Sequence, residues 1–314
     1  MMTKMNGSEE NKLTPSNSQL QGIKVGNIRK ILIDKIRFTG DFNLGYIDKI
    51  LMYDDPNLDF KHDEDYTRFW GFYESSNGER VNFEFNQAKA TATKSRNTWV
   101  EWNPNKFPTD ELQPLQDVLF KFMNNTHITR VDLAFDINQD LSNYRIYKNT
   151  PLKQRIFYGQ QSEIETMYIG SPVSDNHIKI YNKKLQLETE ENTYIDLEHL
   201  WRFEITLKSK KIYDLHNSLN KVNFYLPNYE MVENIQEKAM LYFLEEHPNH
   251  WHTLSKNTRT KYRKLQRETQ DFVITDTLRN KLIEESERLV DEMNNFLEMF
   301  NNAKKISLKP TKLK

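Results

Sequence analysis

The chain of 314 residues contains no cysteine. Disulfide bonds, thiolate metal sites and a cysteine nucleophile are therefore excluded, and the composition fits a reducing compartment. Long apolar runs are also lacking, since no segment approaches the roughly 18 consecutive apolar residues that would span a bilayer. Residues 1–22 have no apolar stretch of the kind found in signal peptides. We therefore expect a cytoplasmic protein without a membrane partner, beginning with a disordered tail over residues 1–22.

A strong charge of either sign is absent as well. The 44 lysines and arginines nearly balance 45 aspartates and glutamates, for a formal net charge of -1. This balance argues against a surface that coats nucleic acid wholesale, and it confines any electrostatic footprint to a local patch. Hydrophobic residues make up only 37%, but 18 Phe, 15 Tyr and 5 Trp are enough to build a core.

Strand-like and helix-like patterns change at about residue 228. Alternating segments mixed with helical ones precede this point, and helical periodicity dominates after it. This order predicts an α+β fold, in which helices back a twisted, mostly antiparallel sheet and a helical C-terminal region follows. The predicted parts are a tail at 1–22, a sheet domain at 23–228, a helical region at 229–302 and a basic tail at 303–314.

Two further local patterns give structural predictions. Residues 81–95 and 98–106 are expected to be neighbouring strands. The last helix carries an apolar stripe, which either packs on its own domain or supplies part of a dimer surface. The stripe consists of Leu278, Leu282, Leu289, Met293 and Phe296.

Three segments alternate strictly, so each predicts a strand with one apolar and one polar side. The apolar sets are Val131, Leu133 and Phe135; Ile178 and Ile180; and Trp201, Phe203, Ile205 and Leu207. The opposite sets, here called the polar face, are Arg130, Asp132, Ala134 and Asp136; His177, Lys179, Tyr181 and Lys183; and Arg202, Glu204 and Thr206. A solvated face of a half-buried sheet would explain this alternation without any function.

Two details of the polar face favour a functional site. Ala134 between Asp132 and Asp136 leaves space for a ligand, and the acids repel one another. A divalent cation such as Mg²⁺ or Mn²⁺ would relieve that repulsion. Tyr181 has an ordinary pKa of about 10, but nearby lysines and a metal-bound phosphate would help its phenolate to attack phosphorus. For a strand tyrosine, a purely structural role is the alternative.

The most basic stretch predicts a helix with a positively charged side. Its cations are Lys256, Arg259, Lys261, Arg263, Lys264 and Arg267. Such a side can neutralise phosphates, or it can simply be a solvated helix face. Tyr262 and Trp251 either stack on a ligand or pack internally.

Six segments in this order resemble the replication initiators of Gram-positive rolling-circle plasmids, the RepC/RepD type. They are VEWNPNKF, TRVDLAFDINQDLS, IFYG, ETMYIGSPVSDNHIKIYNKKLQ, EHLWRFEITLK and NTRTKYRKL, spread over about residues 95–265. Members of this family are dimeric, topoisomerase-like endonuclease-ligases. They nick one strand at the plasmid double-strand origin through a tyrosine, stay attached to the 5′ phosphate, recruit a host helicase of superfamily 1 and finally rejoin the ends.

The resemblance implies roles for particular residues. Tyr181 matches the nucleophile, and Arg202 would stabilise developing charge. The acidic positions are expected to hold Mg²⁺ or Mn²⁺, in the order of preference Asp132, Glu204, Glu101 and Asp136, and which of them do so stays open. Expected DNA contacts are Lys179, Lys183 and Lys184 beside the tyrosine, together with the six cations of the basic helix.

The resemblance also places the two activities along the chain. It assigns nicking and joining to 23–228, on a melted or cruciform origin hairpin. Origin recognition and possible dimerisation fall to 229–302, with sequence reading at about 266–278. Two alternatives remain, namely a conjugative relaxase of the same superfamily and a non-catalytic origin-binding repressor.

Overall fold

A computed structural model describes residues 28, 30–147, 153–160, 163–174, 176–220, 222–271 and 273–308. The predicted tail at 1–22 and the end of the basic tail lie outside these residues. The strands are β1 (Ile31–Phe42), β2 (Leu58–His62), β3 (Arg68–Glu74), β4 (Arg80–Asn86), β5 (Thr98–Trp102), β6 (Met123–Ile137), β7 (Arg145–Tyr147), β8 (Gln154–Tyr158), β9 (Ile164–Ile169), β10 (Asn176–Asn182), β11 (Trp201–Lys208), β12 (Asn223–Pro227) and β13 (Gln270–Asp271). The α-helices are α1 (Ile47–Leu51), α2 (Gln87–Thr93), α3 (Gln113–Val118), α4 (Lys183–Glu190), α5 (Ile235–Glu246), α6 (Lys256–Glu268) and α7 (Val273–Leu297).

Within the described residues, ten strands form the main sheet in the order β2-β3-β4-β5-β1-β6-β11-β10-β9-β8. Each pairing in this sheet is antiparallel. A smaller sheet has the order β13-β12-β7. The predicted α+β class with an antiparallel sheet backed by helices is confirmed.

The apolar sides of β6, β10 and β11 lie in one hydrophobic core, as their alternation predicts. Val131, Leu133 and Phe135 are fully buried there, and Phe135 meets Phe203 of β11 edge to face. The polar side is mostly buried too, because long charged side chains cover one another. Asp132 and Arg202, for example, are each only 8% exposed.

Helix α7 covers the apolar side of the main sheet. The five residues of its predicted stripe are all buried and belong to the same core as the strands. Ser286, which interrupts the stripe, is buried and donates its hydroxyl to the carbonyl of Ile283. The described beginning of the basic tail continues this packing, since Ile306 is buried and the Lys304 amide bonds to the Thr126 carbonyl. The apolar side of α7 is therefore used within the fold.

Helices α5 and α6 form a second, smaller core. It is built from Val232, Leu241, Leu244, Trp251 and Tyr262. Trp251 and Tyr262, for which the sequence left open stacking on a ligand or internal packing, therefore pack internally. The domain boundary at 228 stays a prediction, but the region after it has two different environments, with α5 and α6 on their own core and α7 on the sheet.

One predicted strand is shorter than expected. Strand β4 ends at Asn86, whose side chain accepts a hydrogen bond from the Lys89 amide and so caps α2. Residues 87–93 are therefore helix, and the prediction of strand through residue 95 was wrong. Strands β4 and β5 are neighbours, as predicted. Among the described residues, no helix combines the length and the apolar character needed to cross a membrane.

Candidate functional site

The register of β6, β11 and β10 brings the predicted residues of the polar face into rows. Asp136 lies opposite Arg202, which lies opposite Tyr181. In the adjacent row, Glu204 lies between Ala134 and Lys179. Side chains in such rows, and on the diagonals between them, are close enough to interact.

Tyr181 and Glu204 form the centre of the site. The tyrosine hydroxyl donates to Oε1 of Glu204 at 2.7 Å, and Tyr181 is 6% exposed. Burial, together with the negative charge of Glu204, raises the pKa of Tyr181 far above its ordinary value. The local field therefore keeps the phenol protonated, and a base is needed to remove its proton.

Arg202 is held by two aspartates. Its Nε and Nη2 donate to the two oxygens of Asp136 at 2.5 and 2.8 Å, and its Nη1 donates to Asp34 at 3.1 Å. Burial by itself would lower the pKa of Arg202, but the charge and hydrogen bonds of Asp136 raise it well above its usual range. The guanidinium is thus a fixed positive charge directly opposite Tyr181.

Asp34 is a site residue that sequence reasoning missed. The pairing of β1 with β6 is irregular between Ile33 and Lys35, so Asp34 is an extra residue at a bulge. Burial and the negative charge of Asp34 together raise the pKa of Glu204. The alternation of β1 gives no signal for this position, because a bulge changes the side on which the following residues lie.

The other two predicted acids lie in a second group on the same face. Asp132 accepts two hydrogen bonds from Arg130, at 2.9 and 2.6 Å. Glu101, opposite Arg37 across β1 and β5, accepts from Arg37 at 2.8 Å and lies 3.4 Å from Lys35 Nζ. Both carboxylates are nearly buried and are compensated by cations.

The predicted ligands are carboxylates, which a divalent cation prefers, but their side chains are not gathered around one point. Asp132, Asp136 and Glu101 each bind an arginine, and no cluster of three potential ligands occurs among the described residues. Glu204 has no arginine or lysine within salt-bridge distance in that same part of the chain, and its neighbour Asp34 is also an oxygen donor. Magnesium commonly uses one or two carboxylates plus substrate phosphate. The metal roles of the four predicted acids stay predictions.

The three lysines predicted beside the tyrosine have different environments. Lys179 Nζ lies 3.8 Å from the centre of the Tyr181 ring, on the polar face. Lys183 is buried and donates to Gln186, and burial together with Arg202 lowers the pKa of this lysine. Lys184 donates to the Leu197 carbonyl. The structure therefore puts only the first beside the tyrosine ring, and the DNA contacts of all three stay predictions.

The predicted basic helix is α6. With 3.6 residues per turn, three of its six cations fall on the side turned away from the buried Tyr262. These three are Lys256, Lys264 and Arg267, all exposed. Arg259 donates to the His252 and Leu254 carbonyls, and Arg263 lies 3.7 Å from the centre of the Trp251 ring. Lys261 lies on another side and pairs with Glu237 of α5 at 2.5 Å, so its charge is already compensated.

Fold and site together define a class: an α+β protein whose antiparallel sheet holds a buried tyrosine–glutamate pair beside an arginine. No protein-family model matches the chain. Curated relatives do, and three named "Replication initiation protein", all from Staphylococcus aureus, are 34%, 31% and 32% identical over 211, 258 and 236 residues. These matches cover 67%, 81% and 74% of this chain and 67%, 80% and 76% of the relatives. The chain belongs to the replication initiation proteins.

One solved structure is also similar, a rolling circle replication initiator protein from Geobacillus stearothermophilus. It is 14% identical, with 57% of this chain and 74% of that chain covered and a TM-score of 0.29. A likeness this low supports no conclusion about fold or function. The resemblance found in the sequence motifs is confirmed by the curated relatives, as replication initiation proteins. The roles of individual residues stay predictions.

Proposed function

We propose that this replication initiation protein starts rolling-circle replication of a plasmid by nicking one strand of the double-strand origin and later rejoining the ends. The observation that carries the proposal is the 2.7 Å hydrogen bond from the Tyr181 hydroxyl to Glu204. It pairs a potential nucleophile with a potential base on the polar face. The family supports the biological context, since its named members initiate replication.

The proposed step is an in-line displacement at a scissile phosphate. Oη of Tyr181 bonds to phosphorus as the bond from phosphorus to the 3′ oxygen breaks, and the phenol proton passes to Glu204. The 3′ oxygen leaves as a hydroxyl after taking up a proton, and the 5′ phosphate stays on the tyrosine. Attack by a 3′ hydroxyl on this phosphotyrosine reverses the step and rejoins the strand, because the phosphodiester energy is conserved.

Positive charge near the tyrosine supports this step. Arg202 lies opposite Tyr181 and is fixed by Asp136 and Asp34, so little reorganisation is needed as negative charge develops on phosphate. Lys179, over the tyrosine ring, adds a second cation. The replacement of an arginine by Lys179 relative to the family's motif keeps this charge but loses a bidentate phosphate contact.

A divalent cation, Mg²⁺ or Mn²⁺, belongs to the proposal as well. Glu204 and Asp34 would hold it, with Asp132, Asp136 and Glu101 as the further predicted ligands. When bound, it would withdraw charge from the scissile phosphate. Glu204 has two carboxylate oxygens, so accepting from Tyr181 through Oε1 leaves Oε2 for other contacts.

We place origin binding on the exposed side of α6 and propose that the protein acts in the cytoplasm as a homodimer with a host superfamily 1 helicase. The cations of α6 can neutralise phosphates, with Lys256, Lys264 and Arg267 on the exposed side, while base reading is proposed for about 266–278. The origin would be presented as locally melted or hairpin DNA. These partners follow from the family resemblance.

Supercoiled plasmid carrying the cognate origin tests the proposal. With Mg²⁺ or Mn²⁺, the wild-type protein is expected to produce nicked circles with protein on the 5′ end, and Tyr181→Phe is expected to produce none. Origin-specific binding without nicking by the wild type would instead indicate a non-catalytic repressor. Nicking that survives Tyr181→Phe would mean that another residue is the nucleophile.

A further inference from the structure

Beyond Tyr181, toward the edge of the main sheet, the polar face changes from acidic to aromatic and basic. Strands β10, β9 and β8 follow in that order. Thr166 lies between Tyr181 and Phe157, and in the next row Tyr168 lies between Lys179 and Arg155. Because facing residues of paired strands share one side of the sheet, Phe157 and Tyr168 lie on the same side as Tyr181. Two inter-strand spacings separate β8 from β10, or about 10 Å.

Three rings form a continuous row on this side, here called the edge platform, which consists of Phe157, Tyr168 and His177. The Phe157 and Tyr168 rings meet edge to face with centroids 5.8 Å apart, and Tyr168 stacks on His177 at 5.9 Å. Nε2 of His177 is buried and has no hydrogen-bond partner among the described residues. The platform thus combines flat apolar surface with one buried polar atom that has no partner in the described part of the chain.

The core does not explain the exposed end of this platform. Phe157 is 54% exposed, while its neighbour Ile156 packs against the core from the other side of β8. A strand needs an apolar residue on its buried side only, and a large exposed ring on an edge strand favours unwanted pairing. Packing of the hydrophobic core therefore does not account for the ring of Phe157.

The charge around the platform suits an anionic ligand. Arg155 and Lys153 are exposed on the described part of β8 and just before it, and Lys179 stands in the row that contains Tyr168. Acids lie at the two ends of the row: Glu163 and Glu165 lie against Gly159 at the turn of the β8–β9 hairpin, and Asp132 is close enough to His177 to act on its charge. Cations thus lie beside Phe157 and Tyr168, and the acids lie near His177 and at the hairpin turn.

We propose that the edge platform binds single-stranded DNA next to the scissile phosphate, with bases stacked on Phe157 and Tyr168 and phosphates near Arg155 and Lys179. This inference rests on the proposed function, because it places the unpaired strand beside Tyr181. Single-stranded DNA suits the surface better than a duplex does, since only unpaired bases expose their faces to aromatic rings.

Binding of a fluorescently labelled oligothymidine of about 12 nucleotides, within the range of single-strand site sizes, tests the platform. The full-length chain carries Tyr181→Phe, so that no covalent reaction contributes, and fluorescence anisotropy gives the affinity. Phe157→Ala is expected to weaken binding about 5- to 100-fold, which is the loss of one base–ring stack. Phe157→Trp, which keeps a stacking ring, is expected to retain binding. Tyr158→Ala is the matched control, because Tyr158 is the next residue and is similarly exposed at 58%.

Three results would overturn the platform. The first is unchanged affinity of Phe157→Ala, and the second is an equal loss in Tyr158→Ala, which would indicate damage to the hairpin. The third is a change in oligomeric state of Phe157→Ala during size-exclusion chromatography, which would make the surface an interface between two copies. A failure of the proposed nicking is seen separately, as the absence of a covalent adduct in the wild type while oligothymidine binding still depends on Phe157.

Discussion

At the scale of single residues, two neighbours act on Tyr181 in opposite directions. Arg202 opposite it favours the phenolate, whereas burial and Glu204 favour the phenol and together raise the pKa of Tyr181. The second effect is larger, so the positive surroundings expected from the sequence do not by themselves activate the tyrosine. Activation requires transfer of the proton to Glu204.

Glu204→Gln should therefore slow nicking about 10²- to 10⁴-fold, the usual contribution of a general base. The amide keeps the shape of the side chain and still accepts a hydrogen bond, but it cannot take the proton. Single-turnover nicking of an origin oligonucleotide measures this loss. Glu190→Gln, at the exposed end of α4, serves as the control and should leave the rate unchanged.

The pH dependence follows from the same pair. A base must be ionised, and burial with Asp34 raises the pKa of Glu204, so the nicking rate should rise with pH through a value above the ordinary glutamate range. Asp34→Asn removes the neighbouring charge and should move this acid limb to lower pH. An acid limb at the ordinary glutamate value in the wild type, unmoved in Asp34→Asn, would contradict the assignment.

The buried ion pairs of Arg202 lead to a prediction about the free energy of unfolding. Replacing it by methionine leaves Asp136 and Asp34 without their cation in a buried site, and breaking such a pair costs about 3–5 kcal/mol. Chemical denaturation of Arg202→Met should show a loss of this size, and the added change Asp136→Asn should recover part of it. No recovery in the double variant would mean that the ion pair is not the source of the loss.

At the scale of elements, the cations of α6 differ in whether an acid of the protein compensates their charge. Lys256 and Arg267 lie on the exposed side of α6, whereas Lys261 is paired with Glu237. Lys256→Gln and Arg267→Gln should each reduce the slope of log K against log salt for origin DNA by about 0.9, the value for one released counterion. Lys261→Gln is the matched control with a smaller expected change. Equal slopes for all three variants would contradict a DNA-binding side of α6.

Strand periodicity predicted the adjacent strands β6, β11 and β10 but not the contacts on their polar face. The burial of Val131, Leu133 and Phe135 followed from parity alone, since a strand has only two sides. Asp34 could not be found this way, because its bulge depends on how β1 pairs with β6. The pairing of Asp136 with Arg202 likewise depends on register between strands distant in sequence.

Helix α2 was missed for a related reason. The strand pattern of residues 81–85 continues into a segment rich in alanine and threonine, whose periodicity favours neither structure. The Asn86 side chain caps α2 by accepting a hydrogen bond from the Lys89 amide, and this local hydrogen bond ends the strand. A capping residue in the middle of an alternating run is the sequence signal for this helix.

At the scale of the whole molecule, α7 joins the C-terminal region to the sheet. Leu282 is fully buried in the common core, whereas the next residue, Ile283, is 49% exposed. Leu282→Ala should lower the free energy of unfolding by about 2–5 kcal/mol, and Ile283→Ala should change it little. Urea denaturation followed by circular dichroism measures both. Equal effects would contradict the packing of α7 on the sheet.

The central claim is that Tyr181 becomes covalently linked to DNA. The most direct measurement is mass spectrometry of the protein–DNA adduct after nuclease and protease digestion, which identifies the modified residue. The account predicts a 5′-phosphonucleotide on the phenolic oxygen of Tyr181, formed only in the presence of origin DNA. A nucleotide on any other residue, or nicked DNA with no adduct at all, would contradict it.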